Sequence, residues 1–118
     1  MMTDQEAFDK MVAHLRAQGE RATVHEDGGL CALHGAGGKM CAVGCLIPDS
    51  EYEAKQESYT LDDLHVEVPQ LRVLSFRLLD EMRDVHDFTD PDEWEFEFPI
   101  VADKLGLDYK ENNNEAHS

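Results

Sequence analysis

Between Val68 and Asp87 the chain places Leu71, Leu74, Leu78, Met82 and Val85 at spacings of three and four, the repeat of a helix with one buried face. A strand could not gather these residues on one side, because its side chains alternate with period two. Pro69 stands where a first helical residue is favoured. The pattern therefore predicts one helix over about Val68 to Asp87, the longest in the chain and the central element of the core.

Two further helices follow from start and stop signals. Thr3 and Glu6 have the spacing of a capping box, Phe8, Met11, Val12 and Leu15 keep helical spacing, and Gly19 supplies the stop. Near the other end, Asp90 can cap, Pro91 suits a first helical position and Glu93 completes a capping-box-like pattern, so a last helix starts near Pro91. Its interior carries two patterns at once. Glu93 to Phe98 alternates like a strand, whereas Trp94, Phe98, Val101, Ala102 and Leu105 keep helical spacing. The start signal and Gly106 favour helix, with a kink costing about 3 kcal/mol if Pro99 sits in its middle.

Arg21 to Gly29 reads as irregular. Leu30 to His34 can pair with Lys39 to Val43 across Gly35-Ala36-Gly37-Gly38, which predicts a β-hairpin. Gly44 interrupts the second strand, Cys45-Leu46-Ile47 runs inward, and a polar stretch from Pro48 to Tyr59 has Tyr52 as its anchor. A short turn is expected over Thr60 to Leu64. The expected fold is α+β, about three main helices packed around a small antiparallel β-hairpin, with one globular domain over 1–109 and a flexible tail over 110–118.

At 118 residues such a domain is long enough to bury a core without disulfides. No apolar run reaches the length of a membrane span, and the first residues lack the basic start and apolar stretch of a secretory signal, so a cytoplasmic location is expected. The three cysteines are then reduced thiols.

Charge decides the class of partner. The chain carries 26 Asp and Glu against 10 Lys and Arg, a net charge of −16. A surface of that sign repels nucleic acid and anionic lipid and attracts basic protein surfaces. The acids form two blocks: seven from Asp49 to Glu67 against Lys55 alone, and nine from Asp80 to Glu97 against Arg83 alone. They could stand where the phosphates of a duplex stand, in a channel built to hold nucleic acid. A solvated, solubilising surface and adaptation to salt are the competing explanations.

Other constellations point more weakly to chemistry. Cys31, Cys41 and Cys45 with His34 or His25 are candidate zinc ligands, but on a continuous strand Cys41 and Cys45 would lie about 13 Å apart. Only a sharp bend at Gly44 brings them together. His86-Asp87 falls at the end of the long helix, where a histidine beside the last carbonyls is the simpler reading. Gly35 to Lys39 fails the phosphate-loop pattern, since Leu33 and Met40 occupy positions that need Gly and Ser or Thr. No nucleophile elbow, metalloprotease helix or calcium loop is present in the sequence, so no catalytic set and no cofactor is expected.

From Cys41 to Tyr52 the chain reads CAVGCLIPDSEY, and this block resembles the C-A-x-G-C-L-I-P-D-x-x-Y block of a group of small phage and prophage proteins of unknown function. The resemblance extends to the first helix and, more weakly, to Val85-His86-Asp87 and Asp90 to Trp94. It implies a phage-type accessory protein, a class in which inhibitors of host defence are common, and it transfers no catalytic residue. Together with the charge it leads to an anti-CRISPR or anti-restriction inhibitor that binds a basic host protein or nucleoprotein complex in the host cytoplasm, without touching nucleic acid or membrane. Asp84, Asp87, Asp92, Glu93, Trp94 and Glu95 are the expected contacts, with exposed aromatics such as Trp94, Phe96 or Tyr52 as anchors. The alternative is a metal or thiol site using Cys31, Cys41 and Cys45.

Overall fold

Helix α1 (Asp4–Gln18) begins and ends on its signals: the Thr3 side chain accepts from the Glu6 N–H, the Glu6 carboxylate accepts from the Thr3 N–H, and Gly19 closes the helix in the left-handed region. Its Ala7, Phe8, Met11, Val12 and Leu15 are buried. The computed structural model describes residues 2–25 and 28–109, so the tail expected over 110–118 lies outside the described residues.

The chain is a mixed helix and sheet fold, with five α-helices and one two-stranded antiparallel hairpin among the described residues. The hairpin is not the expected one. Strands β1 (Thr23–His25) and β2 (Gly28–Cys31) pair with Thr23 opposite Cys31, so the segment expected to be irregular supplies a strand. Of the expected pairing of Leu30 to His34 with Lys39 to Val43, one bridge remains, His34 to Met40. The physical reason is competition for donors. The Glu57 carboxylate accepts from the N–H groups of Leu33 (2.8 Å) and His34 (3.0 Å), while the partner segment curls into a 3-10 turn at Gly44–Leu46.

The long helix is also divided. Thr60 and Asp63 form a capping box that starts a helix, α2 (Leu61–Glu67), where only a turn was expected. Then come α3 (Pro69–Arg72), opened by Pro69, and α4 (Phe76–Phe88). The break is made by Ser75, whose N–H donates to the Asp4 carboxylate (2.9 Å) and whose hydroxyl accepts from the Leu78 N–H, so it caps a new helix. Leu71, Leu74, Leu78, Met82 and Val85 still reach the core, because the break turns the chain without turning the apolar face outward.

Helix α5 (Trp94–Leu105) follows a 3-10 turn at Pro91–Glu93 and stops at Gly106. It buries Trp94, Phe98, Val101 and Ala102 while Phe96 stays 73% exposed, which settles the double pattern in favour of helix. Pro99 lies within it, half-exposed, where water can serve the Glu95 carbonyl left without a donor. Helix α4 packs on α1, α2 and α5, and α1 also covers the Gly44–Leu46 turn. The two ends of the described chain meet: the Gln5 side chain donates to the Asp108 carbonyl and accepts from the Asp108 N–H. Among the described residues no helix is long and apolar enough to cross a membrane.

Two glycines separate close approach from backbone conformation. A Cβ on Gly44 would overlap the Leu33 carbonyl, whereas Gly19 needs positive φ but has open space around it. Gly44→Ala is expected to cost about 3 kcal/mol or more and Gly19→Ala about 1 kcal/mol in urea unfolding, with equal costs contradicting the packing assigned to Gly44.

Candidate functional site

The acids from Asp80 to Glu97 are carried by α4, the 3-10 turn after it and the first turn of α5. Asp84 projects into solvent beside Arg83 (3.8 Å). Its carboxyl is held above the ordinary range, by partial burial first and then by Asp80, with Arg83 opposing and Glu81 and Asp87 adding to the rise. Asp90 lies 3.7 Å from Arg21. Asp92 and Glu93 on the 3-10 turn are exposed, and among the described residues no cation stands within ion-pair distance of either.

Three of the six expected contacts do other work. Glu95 takes a bidentate pair of bonds from Arg16 (2.6 and 2.9 Å) and a third from the Tyr109 hydroxyl (2.9 Å), joining α5 to α1 and to the end of the described chain. The Arg16 bonds hold the Glu95 carboxyl below its ordinary value, against an opposing effect of burial. Trp94 is buried, with its indole N–H donating to the Thr89 carbonyl (3.1 Å), so it is no exposed anchor. Asp87 is half-buried and accepts from Nδ1 of His86 at 2.6 Å.

His86 itself corrects the reading of a helix-end histidine. Its ring is fully buried, stacked near Trp94, and Nε2 accepts from the backbone N–H of Ala22 (3.0 Å). The carbonyl-capping role falls to Arg21, which donates to the carbonyls of His86 (3.0 Å) and Thr89 (2.7 Å). No short motif could have revealed this, since Arg21 and His86 lie 65 residues apart.

Among the described residues the candidate zinc ligands do not assemble. His34 stacks on Tyr52 and donates from Nε2 to the Gly44 carbonyl, the Cys41 sulfur accepts from the Gly44 N–H, and the Cys45 thiol donates to the Ala42 carbonyl. The bend at Gly44 does occur, but it turns both thiols to backbone partners. The group that does converge, with its ligand atoms within 4.8 Å of one another, is Cys31, His86 and Asp87. Its hydrogen bonds oppose metal binding: Ala22 occupies the Nε2 lone pair, which assigns the ring proton to Nδ1 and leaves neither nitrogen with an electron pair to offer. Cys31 and Asp87 line a cavity of about 120 Å³ with Cys41 and Arg83, and His86 does not reach it.

The thiols are also poor nucleophiles. Burial, then the Asp87 carboxylate, pushes the Cys31 thiol up to about 11, and burial pushes Cys41 and Cys45 up to about 12. A reactive thiol needs the opposite shift. The chain matches no protein-family model, no curated protein and no solved structure.

Two measurements check this arrangement. His86→Ala strips the buried Ala22 N–H of its acceptor and is expected to cost about 3 kcal/mol or more in urea unfolding, against about 1 kcal/mol for Asp87→Asn, whose amide oxygen can still accept from Nδ1. A near-neutral His86→Ala would show that the ring carries no such load. Because the folded thiols titrate above their ordinary value of 9.0, the stability they contribute is complete below about pH 9 and is lost as pH rises through about 11 to 12. The urea midpoint should therefore fall on that alkaline side, and fall less in Cys41→Ala and Cys45→Ala variants.

Proposed function

We propose that this chain is a small acidic accessory protein of the phage type that inhibits a host-defence nuclease or CRISPR-type effector by occupying its basic, nucleic-acid-handling surface. The supporting observation is the placement of the acids. Among the described residues no Asp or Glu is buried, and Asp84, Asp90, Asp92 and Glu93 stand in solvent along one stretch whose ion-pair partners are Arg21 and Arg83. That stretch offers a partner's Lys and Arg a set of carboxylates at little desolvation cost, and long-range attraction then speeds encounter. The contact set is Asp84, Asp92 and Glu93, because Asp87 and Glu95 are tied into the fold and Trp94 into the core.

Charge reversal at the solvent-facing pair tests the reading without disturbing the fold. The Asp92→Lys, Glu93→Lys double variant is expected to unfold like the parent, yet to lose a nucleic-acid-processing complex that the parent retains from host lysate at low salt and releases at high salt. Nucleic acid should compete with the parent for that complex. Retention unchanged by the reversal, or by salt, would sink the acidic-surface mechanism.

A further inference from the structure

On α5 the residues that do not enter the core form a pattern of their own. Phe96 is 73% exposed and Ile100 48% exposed, and a spacing of four sets them side by side with the half-exposed Pro99 between. Such a pair of large apolar groups in water on one helix face is an incomplete packing surface. Asp103 and Lys104 lie three and four residues beyond Ile100 on α5 and Glu97 lies alongside, while the exposed Asp92 and Glu93 stand on the 3-10 turn that leads into the helix just before Phe96. The apolar seam is thus bracketed by carboxylates, with Lys104 turned to Glu81 at 3.4 Å.

We propose that the Phe96–Ile100 face of α5 is a docking seam for an amphipathic basic helix of a partner, its apolar side chains packing on Phe96, Pro99 and Ile100 and its flanking Lys or Arg meeting Asp92, Glu93 and Asp103. The occupant follows from charge complementarity. An acidic helix would meet Asp92, Glu93, Glu97 and Asp103, which have no ion-pair partner among the described residues, and a polycation without apolar groups would leave the seam wet. The proposal rests on the acidic-binder reading and adds the packing element that reading lacks, since Trp94 is buried. Rim charges set encounter rate, whereas a packed apolar centre sets residence time.

The test uses the full chain with two fluorescein-labelled probes, a helical 18-residue Leu/Lys peptide with its leucines on one face and an oligolysine of equal charge, read by anisotropy. The Leu/Lys peptide should bind roughly tenfold or more tightly than oligolysine, and Phe96→Ser with Ile100→Ser should remove that advantage while leaving oligolysine binding and the unfolding midpoint unchanged. Amide shifts on peptide addition should centre on residues 92–104. Equal binding of the two probes, or a Leu/Lys advantage that survives both serines, overturns the seam and leaves the acidic surface standing. Failure of both probes to bind at low salt overturns the acidic-binder reading itself.

Discussion

One buried imidazole holds the two halves of this fold together. His86 comes from the helical body, Ala22 from the approach to the hairpin, and the ring joins them by accepting from one backbone N–H while donating to its neighbour Asp87. The hairpin has only three and four residues in its strands, too little pairing to be stable alone. Its position depends on anchors at either side of it, His86 and Arg21 at the start and Glu57 just past its end. The same bonds that fix the hairpin remove His86 from chemistry. Cys31, His86 and Asp87 thus look like a site by residue type and behave as a joint by hydrogen bonding.

The acids divide in a similar way. Asp4, Glu57, Asp63, Asp87 and Glu95 each accept from a named donor and thereby start a helix, end a strand or fasten one element to another. Asp92 and Glu93 have no such duty among the described residues. A net charge of −16 is therefore not a uniform coat. Part of it is the scaffold's own polar wiring, and the remainder is what a partner can meet.

Local signals were legible in the sequence where a residue interacts with its chain neighbours. The Thr3 and Glu6 box and the Gly19 and Gly106 stops stand where spacing placed them, whereas Pro91 opens only a 3-10 turn, with no side-chain cap from Asp90, and the α-helix begins three residues on at Trp94. What escaped was decided by partners distant in sequence. Ser75 breaks the long helix because Asp4, 71 residues away, takes its N–H, and the expected hairpin fails because Glu57 takes the donors of Leu33 and His34. The acidic block was visible in composition. Which of its members face a partner was not, because Trp94 and Glu95 carry the same residue types whether they bind outward or inward.

The Arg16 clamp carries a consequence for how the chain must assemble. Its partners Glu95 and Tyr109 follow it by 79 and 93 residues, and Gln5 meets Asp108 across 103. On a ribosome the Gly44–Leu46 turn and then α4 can cover the first helix early, but the polar bonds that fasten it to α5 and to the end of the described chain must wait until almost all of these residues have been made. Closure of the fold is thus a late event in the life of the chain, made by residues from its two ends.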